Sequence, residues 1–101
     1  MFQLVRDDEG LPPMVVFEDS ATPGFVPVWE AVGVYDALYN SDGQRARVVS
    51  RAIAHGLDRL LADATLAGLM PPGLSAAVAV RFLENVNRAC VTHGAAWIQT
   101  R

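Results

Sequence analysis

Two apolar stripes of helical period, joined by Met70-Pro71-Pro72-Gly73, constrain this chain more than any other feature. In the first, Val49, Ile53, Gly56, Leu57, Leu60 and Ala64 recur at the spacing that lines up one face of an α-helix. In the second, Val78, Ala79, Phe82, Val86 and Ala89 do the same. Neither face is stable in water, and two prolines followed by glycine stop a helix and turn the chain. The pattern predicts two antiparallel helices, over residues 43–67 and 73–93. Ser41 and Gln44 have the spacing of a capping box at the start of the first, and Gly68 stands where a left-handed residue would end it. Gly94 ends the second, in which Glu84 precedes Arg88 by one turn. Gly56 is the odd member of the first stripe. A glycine inside a helix costs about 1 kcal/mol in propensity, so its place on the apolar face predicts the close approach of a neighbouring helix.

The N-terminus has a different period. "FQLVRD" and "MVVFED" are short runs rich in β-branched and aromatic residues, separated by the turn formers "DEGLPP". They predict a β-hairpin, with Phe2 and Leu4 on one face of its first strand and Val15 and Phe17 together on one face of its second. Pro12 and Pro13 cannot donate backbone hydrogen bonds and belong to the connection. After the connector "EDSATPGFVP", residues Val28, Ala31, Val32, Tyr35, Leu38 and Tyr39 make a further helical stripe, with Pro27 in its first turn. Gly33 and the valines leave a strand reading of 28–39 open. The closing "AAWIQTR" has β-character and fits best beside the hairpin. The expected fold is α+β: an N-terminal β-hairpin and three helices packed on a small antiparallel sheet completed by a short C-terminal strand. At 101 residues the chain forms one domain, 1–101, around one modest core.

Composition narrows the class of function. The one cysteine, Cys90, excludes a disulfide within the chain and points to a reducing compartment. "MFQLVRDDEG" lacks the basic and apolar regions of a secretory signal, and no apolar run is long enough to span a bilayer. The expectation is a cytoplasmic protein with no membrane association. Residues 1–42 hold eight acids and one base, and residues 43–101 hold three acids and seven bases, all arginine, for a net charge of −3. Six of the eight aromatic residues also lie in the acidic part. The two halves either neutralise each other or leave an acidic, aromatic surface for a basic partner.

The chemistry-bearing residues fall into three groups. His55 points away from Ile53 on the helical wheel and shares its side with Arg47, Arg51 and Asp58, with Arg59 at the margin. That face suits neither a metal ion, which arginines repel, nor a general base, which needs an orienting carboxylate in a cleft. Arg47, Arg51, His55 and Arg59 could instead contact an anion or a nucleic-acid backbone, although the acidic net charge argues against a dedicated nucleic-acid binder. Cys90 and His93 have the spacing of half a zinc site, but the chain lacks the second half. Cys90 reads as a small buried hydrophobe and His93 as a helix C-terminal cap. No metal site and no cofactor motif is expected, nor is an enzyme; a site near His55 or Cys90 is the reading that an enzyme or enzyme subunit would require. The third group is Glu18, Asp19, Phe25, Trp29, Glu30 and Asp36, in which aromatic anchors sit among acids. It supports a non-enzymatic protein-binding module, an inhibitor or regulator that occupies a basic surface of a larger assembly, such as a nucleic-acid-handling complex. Self-association as a homodimer is also compatible with such a surface.

Overall fold

A computed structural model describes residues 1–7, 10–70 and 72–100. Asp8 and Glu9 of the hairpin connection and Pro71 of the Pro–Pro–Gly break lie outside the described residues, as does the side chain of Ala64. Strands β1 (Phe2–Arg6) and β2 (Met14–Asp19) form the expected hairpin, and β3 (Trp97–Thr100) pairs with the other side of β1. The antiparallel sheet has the order β2-β1-β3. Helices α1 (Val26–Val32), α2 (Tyr35–Tyr39), α3 (Ala46–Ala62) and α4 (Ala76–Thr92) complete the α+β fold. Single 3₁₀ turns precede α1 at Pro23–Phe25 and follow α3 at Ala64–Leu69.

The core forms where the stripes meet. Val49, Ile53, Gly56 and Leu60 of α3 are buried, as are Ala79, Phe82, Leu83, Val86, Ala89 and Cys90 of α4. Phe2, Leu4 and Ile98 supply the inner face of the sheet. Val78 is exposed, because the buried stripe of α4 is centred further round, on Leu83 and Cys90, than the sequence reading placed it. Gly56 marks a close approach as expected, though to a turn and not to a helix face. A Cβ at this position would run into Val34 Cγ1 and lie 3.2 Å from the Val32 carbonyl oxygen.

Four boundaries differ from the sequence reading. Helix α4 begins at Ala76, not 73, because Ser75 is its N-cap and its hydroxyl accepts from the Val78 N–H. The stripe over 28–39 is two short helices, because Gly33 adopts a left-handed φ of +81° and ends α1. Its N–H bonds the Glu30 carbonyl and the Val34 N–H reaches back to Trp29, a Schellman closure with Val34 and Trp29 both buried. Helix α3 begins at Ala46, not 43, since Gly43 to Arg45 are drawn off to line the open edge of β3. The Gly43 N–H donates to Ile98 and the Ile98 N–H to Gln44. Ser41 therefore caps nothing on α3; its buried hydroxyl donates to the Ala37 carbonyl and closes α2. At the other end α3 stops at Ala62, where Asp63 turns extended, so Gly68 is not its cap.

The hairpin also corrects one expectation. The β1–β2 register slips between Leu4, opposite Phe17, and Val5, opposite Val15, leaving Val16 as the extra residue of a β-bulge. The slip moves Val15 to the outer face of the sheet, where it is 48 % exposed, while Val16 and Phe17 pack toward the core.

Candidate functional site

Of the six acidic and aromatic residues singled out in the sequence, the two aromatics do not reach the surface. Phe25 is 1 % exposed and Trp29 0 %, because α1 packs on α3 and both rings face the core. The Trp29 ring packs on Phe25 at 5.4 Å and on Phe82 at 5.6 Å. Both are core residues, which corrects the expectation that they anchor a partner. The four carboxylates differ. Glu18, Glu30 and Asp36 are exposed and Asp19 is half-buried. Among the described residues they do not pair with the arginines of the second half. Glu18 accepts from the Gln3 amide at 2.9 Å, Asp19 from the Ser20 N–H at 2.8 Å and Asp36 from the Asn40 amide at 3.0 Å.

The aromatic surface lies one turn further along the chain. The Schellman closure at Gly33 folds α2 back beside α1, and Glu30, Gly33, Tyr35 and Asp36 line a shallow depression at the elbow. Tyr35 and Tyr39, one helical turn apart, stack at 4.9 Å with 30° between their rings. Burial raises the Tyr39 hydroxyl pKa above its ordinary value and the neighbouring Tyr35 adds to this, while the nearby Trp29 indole N–H opposes it. The Trp29 indole N–H, although close enough to act on Tyr39, is buried without a partner in full hydrogen-bond geometry. A tyrosine ring and two carboxylates that line one depression can receive a guanidinium or ammonium group, with the ring face and the negative charge acting together. In the sequence Tyr35 stands with Phe25 and Trp29 among the acids of this segment, and Tyr35 and Tyr39 share its helical stripe.

A second cavity opens on the far side of the stack. Its volume is about 140 Å³, and Phe2, Ser20, Ala21, Leu38, Tyr39 and Phe82 are among its lining residues. It lies where β2 runs into the connector.

The basic residues of α3 stand as the helical wheel placed them: Arg47, Arg51, His55 and Arg59 are all exposed along the helix. Arg45 is different. Its guanidinium lies 3.7 Å from the centroid of the Trp97 ring and donates to the Ala95 carbonyl, fastening α3 to β3. His93 closes α4 through its backbone N–H, which donates to Ala89 at 2.8 Å. Its imidazole lines a small cavity with Arg6, Asp7 and Arg45. Cys90 is buried, and desolvation pushes its thiol pKa up to about 11, so it carries no thiolate at neutral pH. Among the described residues no group of three or more His, Cys, Asp or Glu side chains could hold a metal ion. No helix among them is long and apolar enough to cross a membrane. Comparison with known proteins finds no matching family model, no similar curated protein and no similar solved structure.

Proposed function

We propose that this protein is a non-enzymatic protein-binding module, an inhibitor or regulator that engages a basic surface of a larger protein or complex through its acidic face. The observation that carries this reading is the elbow of α1 and α2, where Glu30, Tyr35 and Asp36 line one depression and Tyr39 stacks against Tyr35. Tyr35 and Tyr39 take the anchoring role that the buried Phe25 and Trp29 cannot fill. Glu18 and Asp19 extend the negative charge along β2 and steer a basic partner toward the face before contact. The bound group is an arginine or lysine side chain of that partner.

The test is titration of the full chain with an arginine-rich peptide, followed by Tyr35→Ala and by Glu30→Lys with Asp36→Lys. Binding should weaken with salt, fall by about tenfold or more when both charges are reversed, and fall again when the ring is removed. Binding that ignores all three substitutions refutes the assignment.

The exposed arginines of α3 support a second reading, contact with a nucleic-acid backbone. An electrophoretic shift at low salt that disappears with Arg47→Ala, Arg51→Ala and Arg59→Ala would establish it in place of the first.

A further inference from the structure

We propose that two copies of this chain pair through β2 in a two-fold symmetric dimer, each laying Leu11 to Pro13 over the other's cavity beside Tyr39. β2 is the outer strand of the sheet, whereas the open side of β3 is lined by Gly43 to Arg45. Among the described residues, the backbone hydrogen bonds of β2 run to β1 alone. It holds no proline, although the bulge at Val16 and the charges of Glu18 and Asp19 partly guard this edge.

The ends of this strand are complementary. At its start Leu11 and Met14 are 63 % and 57 % exposed, and they line an apolar hollow with Pro12, Pro13 and the Arg6 side chain. At its end, directly after Asp19, lies the cavity of about 140 Å³ formed by Phe2, Ala21, Leu38, Tyr39 and Phe82. The β1–β2 register puts both ends on one face of the sheet. Asp19 is opposite Phe2 and Met14 is opposite Arg6, and residues 2, 4 and 6 of β1 share a face. An antiparallel pair of β2 strands centred between Val16 and Phe17 sets Met14 of each copy against Asp19 of the other. The preceding residues, Leu11 to Pro13, then cross the mouth of the second copy's cavity. Arg6, beside Met14 on the same face, comes diagonally toward the second copy's Asp19, so positive charge meets negative. A two-fold axis makes every one of these contacts twice. The elbow depression of Glu30, Tyr35 and Asp36 shares no lining residue with this interface, whereas Tyr39, Glu18 and Asp19 belong to both surfaces, so dimer formation and capture of a basic partner compete there.

The test is sedimentation equilibrium of the full chain from micromolar to millimolar concentration. The wild type should form a dimer and no higher species. Met14→Asp places a carboxylate against Asp19 of the second copy, and Asp19→Arg places a cation beside Arg6. Each should weaken the dimer by about tenfold or more, since like charges set together oppose association. Met14→Asp combined with Asp19→Arg makes the pair attractive again and should restore the dimer. Circular dichroism of each variant checks that the fold is kept. A chain that stays monomeric throughout, a dimer indifferent to both single substitutions, or a double variant as weak as the singles would each overturn the proposal.

Discussion

Replacing Gly56 by alanine puts a methyl group where the α1–α2 elbow presses on α3. On an exposed helix this change would stabilise the chain by about 1 kcal/mol, because alanine is the better helix former. Here the new Cβ meets Val34 Cγ1 and comes within 3.2 Å of the Val32 carbonyl oxygen. Val34 is fully buried, and its β-branched side chain has few rotamers to retreat into. The Val32 carbonyl is backbone, so relief requires the elbow to move. Overpacking of this kind costs about 1–3 kcal/mol, and contact with both a stiff side chain and a backbone atom belongs at the upper end. The net expectation is a loss of about 2 kcal/mol, or on the order of 10 °C in Tm for a domain of this size. Urea and thermal unfolding of the variant measure it directly. Val34→Ala supplies the control: combined with Gly56→Ala it should destabilise less than the sum of the two single changes, because the alanine at 34 makes room for the one at 56. If Gly56→Ala instead raises Tm, the elbow does not rest on α3, and the positions of Tyr35 and Asp36 derived from that packing are wrong.

Asp42 accepts hydrogen bonds from the Thr100 hydroxyl and backbone N–H, which hold its carboxyl below the ordinary 3.8. Its contribution to stability is therefore complete above pH 3.8 and is lost as pH falls through the lowered folded value, so Asp42→Asn should flatten the acid side of the Tm–pH profile. An unchanged profile would show that the clasp between Asp42 and β3 contributes nothing. Cys90, with its thiol pKa pushed up to about 11, should react with iodoacetamide at neutral pH far more slowly in the native chain than in urea. Equal rates would place the thiol at the surface. Removing Arg45 (Arg45→Ala) should cost about 1 kcal/mol through the lost contact with Trp97, read by urea unfolding; no change would mean that α3 is not fastened to β3 there.

What was legible in the sequence follows from the range of the forces involved. The stripes of α3 and α4, the hairpin and the C-terminal strand are written in local period, and each appears in the structure. The bulge at Val16 is not local; it depends on how β1 and β2 register, and it moved Val15 from the expected inner position to the outer face. The start of α3 was misplaced for a similar reason, since residues 43–45 pair with β3, which lies half the chain away. For the candidate surface, charge was readable and depth was not. Glu18, Glu30 and Asp36 are exposed as their chemistry requires, but nothing in residues 25–39 distinguishes an aromatic in the core from one at an elbow. Gly33 was the available signal. Read as the end of a helix, it would have separated Trp29, inside, from Tyr35, at the rim.

The central claim is that the acidic elbow, and not the arginine face, is the working surface. Backbone amide NMR of the labelled full chain, titrated with an arginine-rich peptide at low salt, tests it most directly. The account predicts shifts concentrated at Glu30 to Tyr39, with Arg47 to Arg59 unmoved, and their loss when Glu30→Lys and Asp36→Lys are combined. Shifts centred elsewhere, or a spectrum that does not change, would contradict it.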